Sequence, residues 1–385
     1  MWGNKLEVVL VLARKAAHLS LVVLLLLSFY IPARGEAGGV PMLKDIYAGD
    51  FLIGFAARSD YWLDEPLLDH FNAVTAENMM KWEALQPRPG EFRFTQADNL
   101  VRYAQEHGMA VIGHTLIWHN QTPDWVFKDE NGREVSREVL LARMEEHIKT
   151  VVGHFKGRVK GWDVVNEAVE YNPATGKWEL RDTPWRRIIG DDYIEYAFRF
   201  AQEADPEAEL YYNDYNAADV PKRDAIYALV KGLLEKGLRV DGIGMQGHWD
   251  LQHPSVEAIR EAIELYSSLG VKVHITELDI SVYTWDDRAN RYPTGLPESV
   301  QEQQAARYGD IFRLFKEYAD VIERVTWWGV KDSHSWKNNF PVPRRPDYPL
   351  LFDGQGNPKP SFWAVVDPYS PWRENREKYS TAQDR

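Results

Sequence analysis

Two glutamates follow short apolar runs in this chain, at the points where buried strands would end. Glu167 lies in the segment WDVVNEA (162–168), and Glu277 lies in the segment VHITELD (273–279). Cleavage of a glycosidic bond needs such a pair, because one carboxyl group protonates the leaving oxygen while the other attacks the anomeric carbon or activates water. A single glutamate could instead be an acid that the helix dipole favours at a helix N-terminus. Two of them on converging strands favour the catalytic interpretation.

Eight short β-rich runs alternate with longer segments of helical periodicity along the chain. Repeated strand-then-helix units predict an α/β protein with a closed (β/α)8 barrel, the TIM barrel, rather than an open sheet. The predicted strands are Leu52–Ala57, Ala73–Glu77, Ala110–His114, Val159–Asn166, Leu210–Asp214, Gly242–Gln246, Lys272–Glu277 and Arg324–Gly329. The predicted helices include Gln96–His107, Arg137–His154, Asp192–Ala204, Lys222–Lys236, Ser255–Leu269 and Ser299–Tyr318.

Polar and aromatic residues stand at or just beyond the carboxyl ends of nearly all these runs. In a barrel those ends converge on one face, where enzymes with this fold place their active sites. We therefore expect one site at that face, built from the two glutamates and their counterparts on other strands. The counterparts are Glu77, Asn78, His114, Asn166, Asn213, Asp214, Gln246, His248, Asp279 and Trp328.

The composition favours a neutral substrate. The formal net charge is −13, which argues against a nucleic-acid partner because phosphate binding needs clustered Lys and Arg. Fifteen Trp and nineteen Tyr supply flat amphipathic rings that can stack on the apolar faces of sugars, although such residues are also core material. The chain contains no Cys, which excludes disulfides and thiolate metal sites.

The first 37 residues have the composition of a secretory signal peptide. Lys5, Arg14 and Lys15 precede an apolar run from Leu19 to Ile31, and small residues follow it. The run is shorter than the ~20 residues that a membrane-spanning helix needs, so secretion is the expectation and an uncleaved membrane anchor is the alternative.

The rest of the chain has no linker, low-complexity tract or abrupt change of composition. We therefore expect one catalytic domain over residues 45–373 and a polar C-terminal tail over residues 374–385.

Seven motifs, in this order, resemble those of glycoside hydrolase family 10, the endo-β-1,4-xylanases, over residues 45–370. They are TAENMMKW (75–82), GHTLIWHNQTPDW (113–125), WDVVNEA (162–168), YYNDYN (211–216), GMQGHW (244–249), ITELD (275–279) and TWWGVKDSHSW (326–336). The resemblance implies endo-hydrolysis of xylan and xylo-oligosaccharides with retention of configuration. It implies no cofactor, metal or protein partner, and we expect a monomer.

The resemblance also assigns the two carboxylates, whose roles the residues alone leave open. It implies that Glu167 is the acid/base and that Glu277 is the nucleophile, and retention needs carboxyl groups about 5–5.5 Å apart. Glu167 must be protonated in the first step and ionised in the second. We expect burial and the neighbouring negative charge to raise its pKa.

Three further residues are implied to support the pair. Asn166 would hydrogen-bond the sugar 2-hydroxyl, although it could simply cap the following helix. His248, with Asp279 nearby, would orient and stabilise the ionised Glu277, although it could be a neutral core histidine. Gln246 is the expected companion of the acid/base.

The remaining implied residues would hold the sugar chain. Glu77, Asn78 and Lys81 would bind the glycone sugar, although the spacing of Glu77 and Lys81 also fits an exposed helical ion pair. Tyr215 would be a platform on the aglycone side. The expected walls of the cleavage subsite, which could instead be ordinary rim packing, are His114, Trp118, Trp328 and Trp336.

Several other interpretations stay open or are disfavoured. The segment GIGMQG (242–247) matches a dinucleotide-binding pattern, but it lies in a late strand and is not followed by a helix. A preference for β-glucan over xylan and a non-catalytic sugar-binding protein remain alternatives, although the second would be expected to have lost part of the catalytic set. The segment 338–349, with four Pro residues, is either a rim loop that shapes the cleft or inert.

Overall fold

The computed structural model describes residues 40–59, 63 and 65–380. Residues Pro41–Glu377 form one compact unit. Of the other unit, Met1–Val40 with Lys378–Arg385, only Val40 and residues 378–380 are described. The predicted leader and the end of the predicted tail therefore lie outside the described residues. Among the residues that are described, none forms a helix long and apolar enough to cross a membrane.

Eight parallel strands close into a barrel, as the sequence predicted. The described strands are β1 (Leu52–Ala57), β2 (Ala73–Ala76), β3 (Ala110–Ile117), β4 (Gly161–Asn166), β5 (Val169–Asn172), β6 (Lys177–Leu180), β7 (Glu209–Asp214), β8 (Gly242–Met245), β9 (His248–Asp250), β10 (Lys272–Ser281) and β11 (Ile322–Trp327). The barrel order is β1-β2-β3-β4-β7-β8-β10-β11, and β11 pairs with both β10 and β1. All eight strands are almost wholly buried, because the inside of the barrel is filled and helices cover its outside.

Helices follow the strands and bury one face each. The described helices are α1 (Leu43–Ile46), α2 (Trp82–Leu85), α3 (Thr95–Glu106), α4 (Arg137–His154), α5 (Pro184–Ile189), α6 (Tyr193–Ala204), α7 (Val220–Glu235), α8 (Val256–Ser267), α9 (Glu298–Glu317), α10 (Pro360–Val366) and α11 (Trp372–Ser380). In α3 the buried residues are Ala97, Leu100, Val101 and Ala104, which is the spacing of one helical face. Ser136 and Ser255 accept hydrogen bonds from backbone N–H groups in the first turns of α4 and α8, which caps those helices.

The structure adds elements that the apolar pattern did not predict. β5 and β6 form a short antiparallel hairpin after β4, and β9 extends the sheet beside the end of β10. β3 and β10 also continue to Ile117 and Ser281, beyond their predicted ends. The pairing register shifts between His114 and Ile117 and again between Ile275 and Leu278. Such irregularities bend a strand and redirect its side chains, and here they lie at the mouth of the barrel.

Glycines inside the barrel make room for large rings on the neighbouring strands. A Cβ atom on Gly113 would lie 2.1 Å from Cε3 of Trp162, and one on Gly161 would lie 2.5 Å from the Tyr211 ring. Trp162 and Tyr211 are each 1% exposed, so the surrounding core holds these rings in place. The packing of glycines on one strand against large rings on the next therefore sets the distance between adjacent strands.

We predict that Gly113→Ala destabilises the protein by about 1–3 kcal/mol or more, the usual cost of overpacking a core. The free energy of unfolding from urea titration measures the change. Gly153→Ala is the matched control, because Gly153 lies in α4 with no heavy atom within 4 Å of an added Cβ. Alanine there should stabilise the helix by up to about 1 kcal/mol. Equal stability of the two variants would contradict this packing argument.

Candidate active site

Glu167 stands one residue beyond β4 in an unusual backbone conformation. Its φ angle is +56°, in the left-handed region that residues other than glycine rarely adopt. A hydrogen bond of 2.8 Å from its backbone N–H to the carbonyl oxygen of Asn213 holds this turn against β7. Its carboxylate accepts from Trp118 Nε1 at 2.9 Å on one oxygen and from Gln246 Nε2 at 2.9 Å on the other.

Glu277 lies within β10, at the register shift between Ile275 and Leu278, and is 5% exposed. Its Oε1 accepts from Asn213 Nδ2 at 2.8 Å, and its Oε2 lies 3.2 Å from Nε2 of His248. Both oxygens of this buried carboxylate therefore have a donor. Burial of a carboxylate without such partners would be costly.

Two amides connect the surroundings of the two carboxylates. Asn213 Nδ2 lies 2.8 Å from Glu277 Oε1 and 2.9 Å from Oδ1 of Asn166. Gln246 Nε2 lies 3.4 Å from the same oxygen of Asn166 and 2.9 Å from Glu167 Oε1. Asn166 ends β4 and Glu167 follows it, Asn213 is one residue before the end of β7, Gln246 follows β8, and Glu277 lies inside β10. The predicted convergence of strand ends thus places Glu167 and Glu277 at one site.

His248 joins Glu277 to a second buried carboxylate. Its Nδ1 lies 3.0 Å from Asp279 Oδ2, and Asp279 is also bound by Trp336 Nε1 at 2.9 Å and lies 3.3 Å from Lys337 Nζ. Burial lowers the pKa of His248, but the charges and hydrogen bonds of Asp279 and Glu277 outweigh burial and raise it to about 9. His248 is therefore an imidazolium at neutral pH, and it holds a positive charge against Glu277.

Glu77, Asn78 and Lys81 lie together next to the end of β2. Lys81 Nζ donates to Asn78 at 3.1 Å and to Gln121 at 2.8 Å, and it lies 4.6 Å from the centre of the Trp118 ring. Glu77 accepts instead from Arg58 at 3.2 Å and from Asn78 at 3.3 Å. Because Lys81 precedes α2 rather than sharing a helix with Glu77, the alternative of an exposed helical ion pair is wrong.

Lys81 also carries positive charge towards both catalytic candidates. Burial lowers its pKa, while the negative charges of Glu277, Glu77 and Glu167 oppose that shift. Lys81 lies over the ring of Trp118, which donates to Glu167, so it lies on the Glu167 side of the site.

Aromatic residues surround the carboxylates. His114 Nδ1 donates to the Asp163 carboxylate at 2.8 Å, and its ring meets the Trp328 ring edge to face at 5.4 Å. Trp336 lies 5.1 Å from the His248 ring, and Trp118 bonds Glu167 directly. These residues therefore form walls near the two glutamates, and Trp118 and Trp336 also donate hydrogen bonds to carboxylates.

Tyr215 lies on the Glu167 side, held by two cations. Its hydroxyl accepts from Arg181 Nη2 at 3.0 Å, and Lys222 Nζ lies 3.1 Å from the centre of its ring. Arg181 also donates to the backbone carbonyl of Glu167 at 3.0 Å. Lys222 is fully buried and pairs with Asp214 at 2.6 Å. The half-buried tyrosine is therefore fixed relative to Glu167.

The expectation that the pKa of Glu167 is raised is wrong for the substrate-free protein. Burial does raise it, but the hydrogen bonds from Gln246 and Trp118 and the electrostatic effects of His119 and Lys222 outweigh burial and lower it. Donors that bond the ionised form stabilise that form. Glu167 is therefore ionised when the cleft is empty.

Comparison with known proteins identifies the family. The model of glycosyl hydrolase family 10 matches residues 42–368. This chain belongs to glycosyl hydrolase family 10. An endo-1,4-beta-xylanase of Geobacillus stearothermophilus is 52% identical over 332 residues, which cover 85% of this chain and 98% of that protein. Endo-1,4-beta-xylanase B of Paenibacillus barcinonensis is 48% identical over 331 residues, with coverage of 85% and 98%.

Solved structures of family 10 enzymes have the same fold. Xylanase XynB from Paenibacillus barcinonensis, in complex with a conduramine derivative, matches with a TM-score of 0.82 and 48% identity over 86% of this chain and 99% of that one. Xylanase B from Clostridium stercorarium F9 matches with a TM-score of 0.81 and 43% identity over 85% and 100%. The predicted (β/α)8 barrel and the predicted family membership are both confirmed.

The site of this family 10 enzyme contains residues that sequence reasoning missed. Asn213 was recognised as a strand-end residue but was given no role, although it contacts Glu277 directly. Gln121 lies in a loop and Lys337 in a short 3-10 helix (Trp336–Asn338), where no periodicity marks them, and Asp163 lies inside β4 rather than at its end. Arg181 follows the unpredicted hairpin. The predicted barrel could have indicated Asn213, whereas the others required the path of the loops.

The raised pKa of His248 gives a prediction for stability. Because its folded-state pKa is about 9 and its ordinary value is about 6.5, its contribution should be complete below pH ~6.5 and disappear as the pH rises through about 9. The free energy of unfolding of the wild type should exceed that of His248→Gln by an amount that shrinks, on the order of 3 kcal/mol, over this range. Denaturant titrations at several pH values measure it.

His107→Gln is the control for this experiment, because His107 is exposed at the C-terminus of α3. Its difference from the wild type should change little with pH. A stability gap for His248→Gln that stays constant between pH 6 and pH 9.5 would contradict the charged state assigned to His248.

Proposed function

We propose that this enzyme hydrolyses internal β-1,4 linkages of xylan and xylo-oligosaccharides by a retaining double displacement, with Glu277 as nucleophile and Glu167 as acid/base. The observation that carries the assignment is the different environment of the two carboxylates. Glu277 lies between Asn213 and the imidazolium of His248, both of which donate to its oxygens and stabilise negative charge on a nucleophile. Glu167 is bound by two neutral donors, Trp118 and Gln246, so no hydrogen-bonded cation holds it in one charge state.

In the first step, a Glu277 oxygen attacks the anomeric carbon while the bond from that carbon to the glycosidic oxygen breaks. Glu167 transfers its proton to the leaving oxygen, and a covalent glycosyl ester forms on Glu277. Since Glu167 is ionised in the empty cleft, it must first take up a proton. Bound sugar excludes water from the carboxylate, which raises its pKa towards the value that an acid needs.

In the second step, Glu167 accepts a proton from water, and the water oxygen attacks the anomeric carbon and releases Glu277. The ester has removed the negative charge of Glu277, so the pKa of Glu167 falls and the base form is favoured. Each step inverts the anomeric centre, and the two together retain its configuration. His248 again stabilises Glu277 as its charge returns.

Sugar recognition on the glycone side is assigned to Glu77, Asn78 and Lys81. All three present hydrogen-bonding groups beside the carboxylates, and Lys81 interacts electrostatically with both. Xylose lacks the hydroxymethyl group of glucose. Side chains that crowd the position of that group therefore admit xylose and exclude glucose, which favours xylan. The expected sources of that crowding are Glu77, Lys81 and Trp336.

Assembly and location are also proposals. A monomeric enzyme is proposed because the family resemblance implies no protein partner. Secretion is supported by the signal-like composition of residues 1–37, and a polymeric substrate outside the cell would require it. The mass of the mature chain separates cleavage of this leader from its retention as an anchor.

The roles of the two glutamates can be separated with an aryl β-xylobioside and azide. The aryl group of this substrate leaves without needing a proton. Glu167→Ala should therefore still form the glycosyl ester on Glu277 but hydrolyse it slowly. Azide needs no general base and should restore turnover, with the β-azide as product. In Glu277→Ala azide should replace the carboxylate and give the α-azide. On xylan, Glu167→Ala should lower kcat by about 10²–10⁴-fold.

Glu146→Ala is the matched control, because Glu146 is exposed on α4. It should retain wild-type activity and form no azide product. If Glu167→Ala gave the α-azide and Glu277→Ala gave the β-azide, the assigned roles of the two glutamates would be reversed. Faster cleavage of a β-1,4-glucan than of xylan by the wild type would overturn the substrate and leave the mechanism in place.

A further inference from the structure

We propose that Trp285 and Phe340 form an aromatic platform that binds backbone sugars of a long xylan chain, beyond those held at the cleavage site. The inference rests on the proposed function and extends it to the length of the substrate. Trp285 is 57% exposed and Phe340 is 49% exposed. Their ring centres are 5.5 Å apart, with the rings edge to face.

This platform is continuous with the active site. Phe340 stacks on Trp336 with ring centres 5.4 Å apart and an angle of 24° between the planes. Trp336 in turn donates to Asp279 and lies 5.1 Å from the ring of His248, which contacts Glu277. A row of three rings therefore begins beside the nucleophile and ends in solvent at Trp285.

Exposure of two large adjoining rings needs an explanation. Single exposed apolar residues are common, but contiguous apolar surface beside a ligand site marks an extension of that site. Aromatic rings are large and rigid, and they stack on the apolar faces of sugar rings. Xylose presents such faces without a protruding hydroxymethyl group, so the sugars of a xylan chain can stack on these exposed rings.

The two loops that carry the platform are held together. Arg345, which is 2% exposed, donates to the backbone carbonyl of Asp287 at 2.6 Å and lies 4.0 Å over the centre of the Tyr283 ring. Arg288 donates at 2.6 Å to the backbone carbonyl of Trp285. Because these bonds form within the protein, a sugar chain would bind the platform without first ordering its loops.

Polar groups for sugar hydroxyls lie next to Trp285. Its neighbours Thr284 and Asp286 line a groove of about 420 Å³, together with Asp250, Gln252 and Asp287. A sugar site needs both apolar faces and hydrogen-bonding groups, and this loop supplies both.

The charge of the chain favours xylan over a second protein copy as the occupant. The protein carries a formal net charge of −13, and three aspartates with one arginine, Arg291, line the adjoining groove. Contact between two copies would bring like charges together, whereas a neutral polysaccharide meets no such repulsion.

The test compares Trp285→Ala and Phe340→Ala on long xylan and on an aryl β-xylobioside, which spans only the cleavage site. The ratio of kcat/KM on xylan to kcat/KM on the xylobioside should fall about 3- to 10-fold, mainly through KM. Trp285→Phe, which keeps a ring, should recover most of the ratio. Tyr369→Ala is the matched control, because Tyr369 is 63% exposed but lies outside the platform, and its ratio should equal that of the wild type.

Three outcomes would overturn the platform. An unchanged ratio would mean that the rings do not bind xylan. An equal fall of kcat/KM on both substrates would mean that the two rings support the cleavage site itself. A change in sedimentation without a change in the ratio would assign the surface to self-association. Each outcome differs from a failure of the proposed function, in which the wild type would cut neither substrate.

Discussion

The structure depends on supplying hydrogen-bond donors to two buried carboxylates at the mouth of one barrel. A carboxylate taken out of water loses its solvation, and the loss is tolerable only where donors or cations replace the water. Glu277 has Asn213 and His248, while Glu167 has Trp118 and Gln246. The charge of His248 depends in turn on Asp279, which Trp336 and Lys337 compensate. Most of the side chains around the cleft therefore either carry a buried charge or supply the donor or the opposite charge that stabilises one.

The barrel makes such an arrangement possible because its parallel strands deliver their ends to one face. β4, β7, β8 and β10 are adjacent in the sheet, so residues at their ends become neighbours despite long separations in sequence. Local departures from regular strands complete the geometry, since the left-handed turn at Glu167 and the register shift at Glu277 direct each carboxylate. The regular strands bring the residues near one another, and the irregular backbone at Glu167 and Glu277 sets the direction of the two carboxylates.

The strands and the two glutamates could be predicted from sequence because an apolar run that ends in a polar residue is a local signal. The family followed from seven motifs in order, and the comparisons confirm it. The pKa shift of Glu167 could not be predicted, since it depends on donors from β8 and from the loop after β3. Gln121 and Lys337 were missed for the same reason, because residues in loops and in a single 3-10 turn have no periodicity that assigns them a direction. The roles of the site residues and the leader remain predictions.

The most direct measurement is mass spectrometry of the enzyme after reaction with an aryl 2-deoxy-2-fluoro-β-xylobioside. The fluorine slows both steps, while the aryl leaving group keeps the first fast enough for the glycosyl ester to accumulate. We expect one glycosyl unit per chain, on the peptide that contains Glu277, and no label in Glu277→Gln. A label on Glu167, or continued hydrolysis with no covalent intermediate and an inverted product, would contradict it.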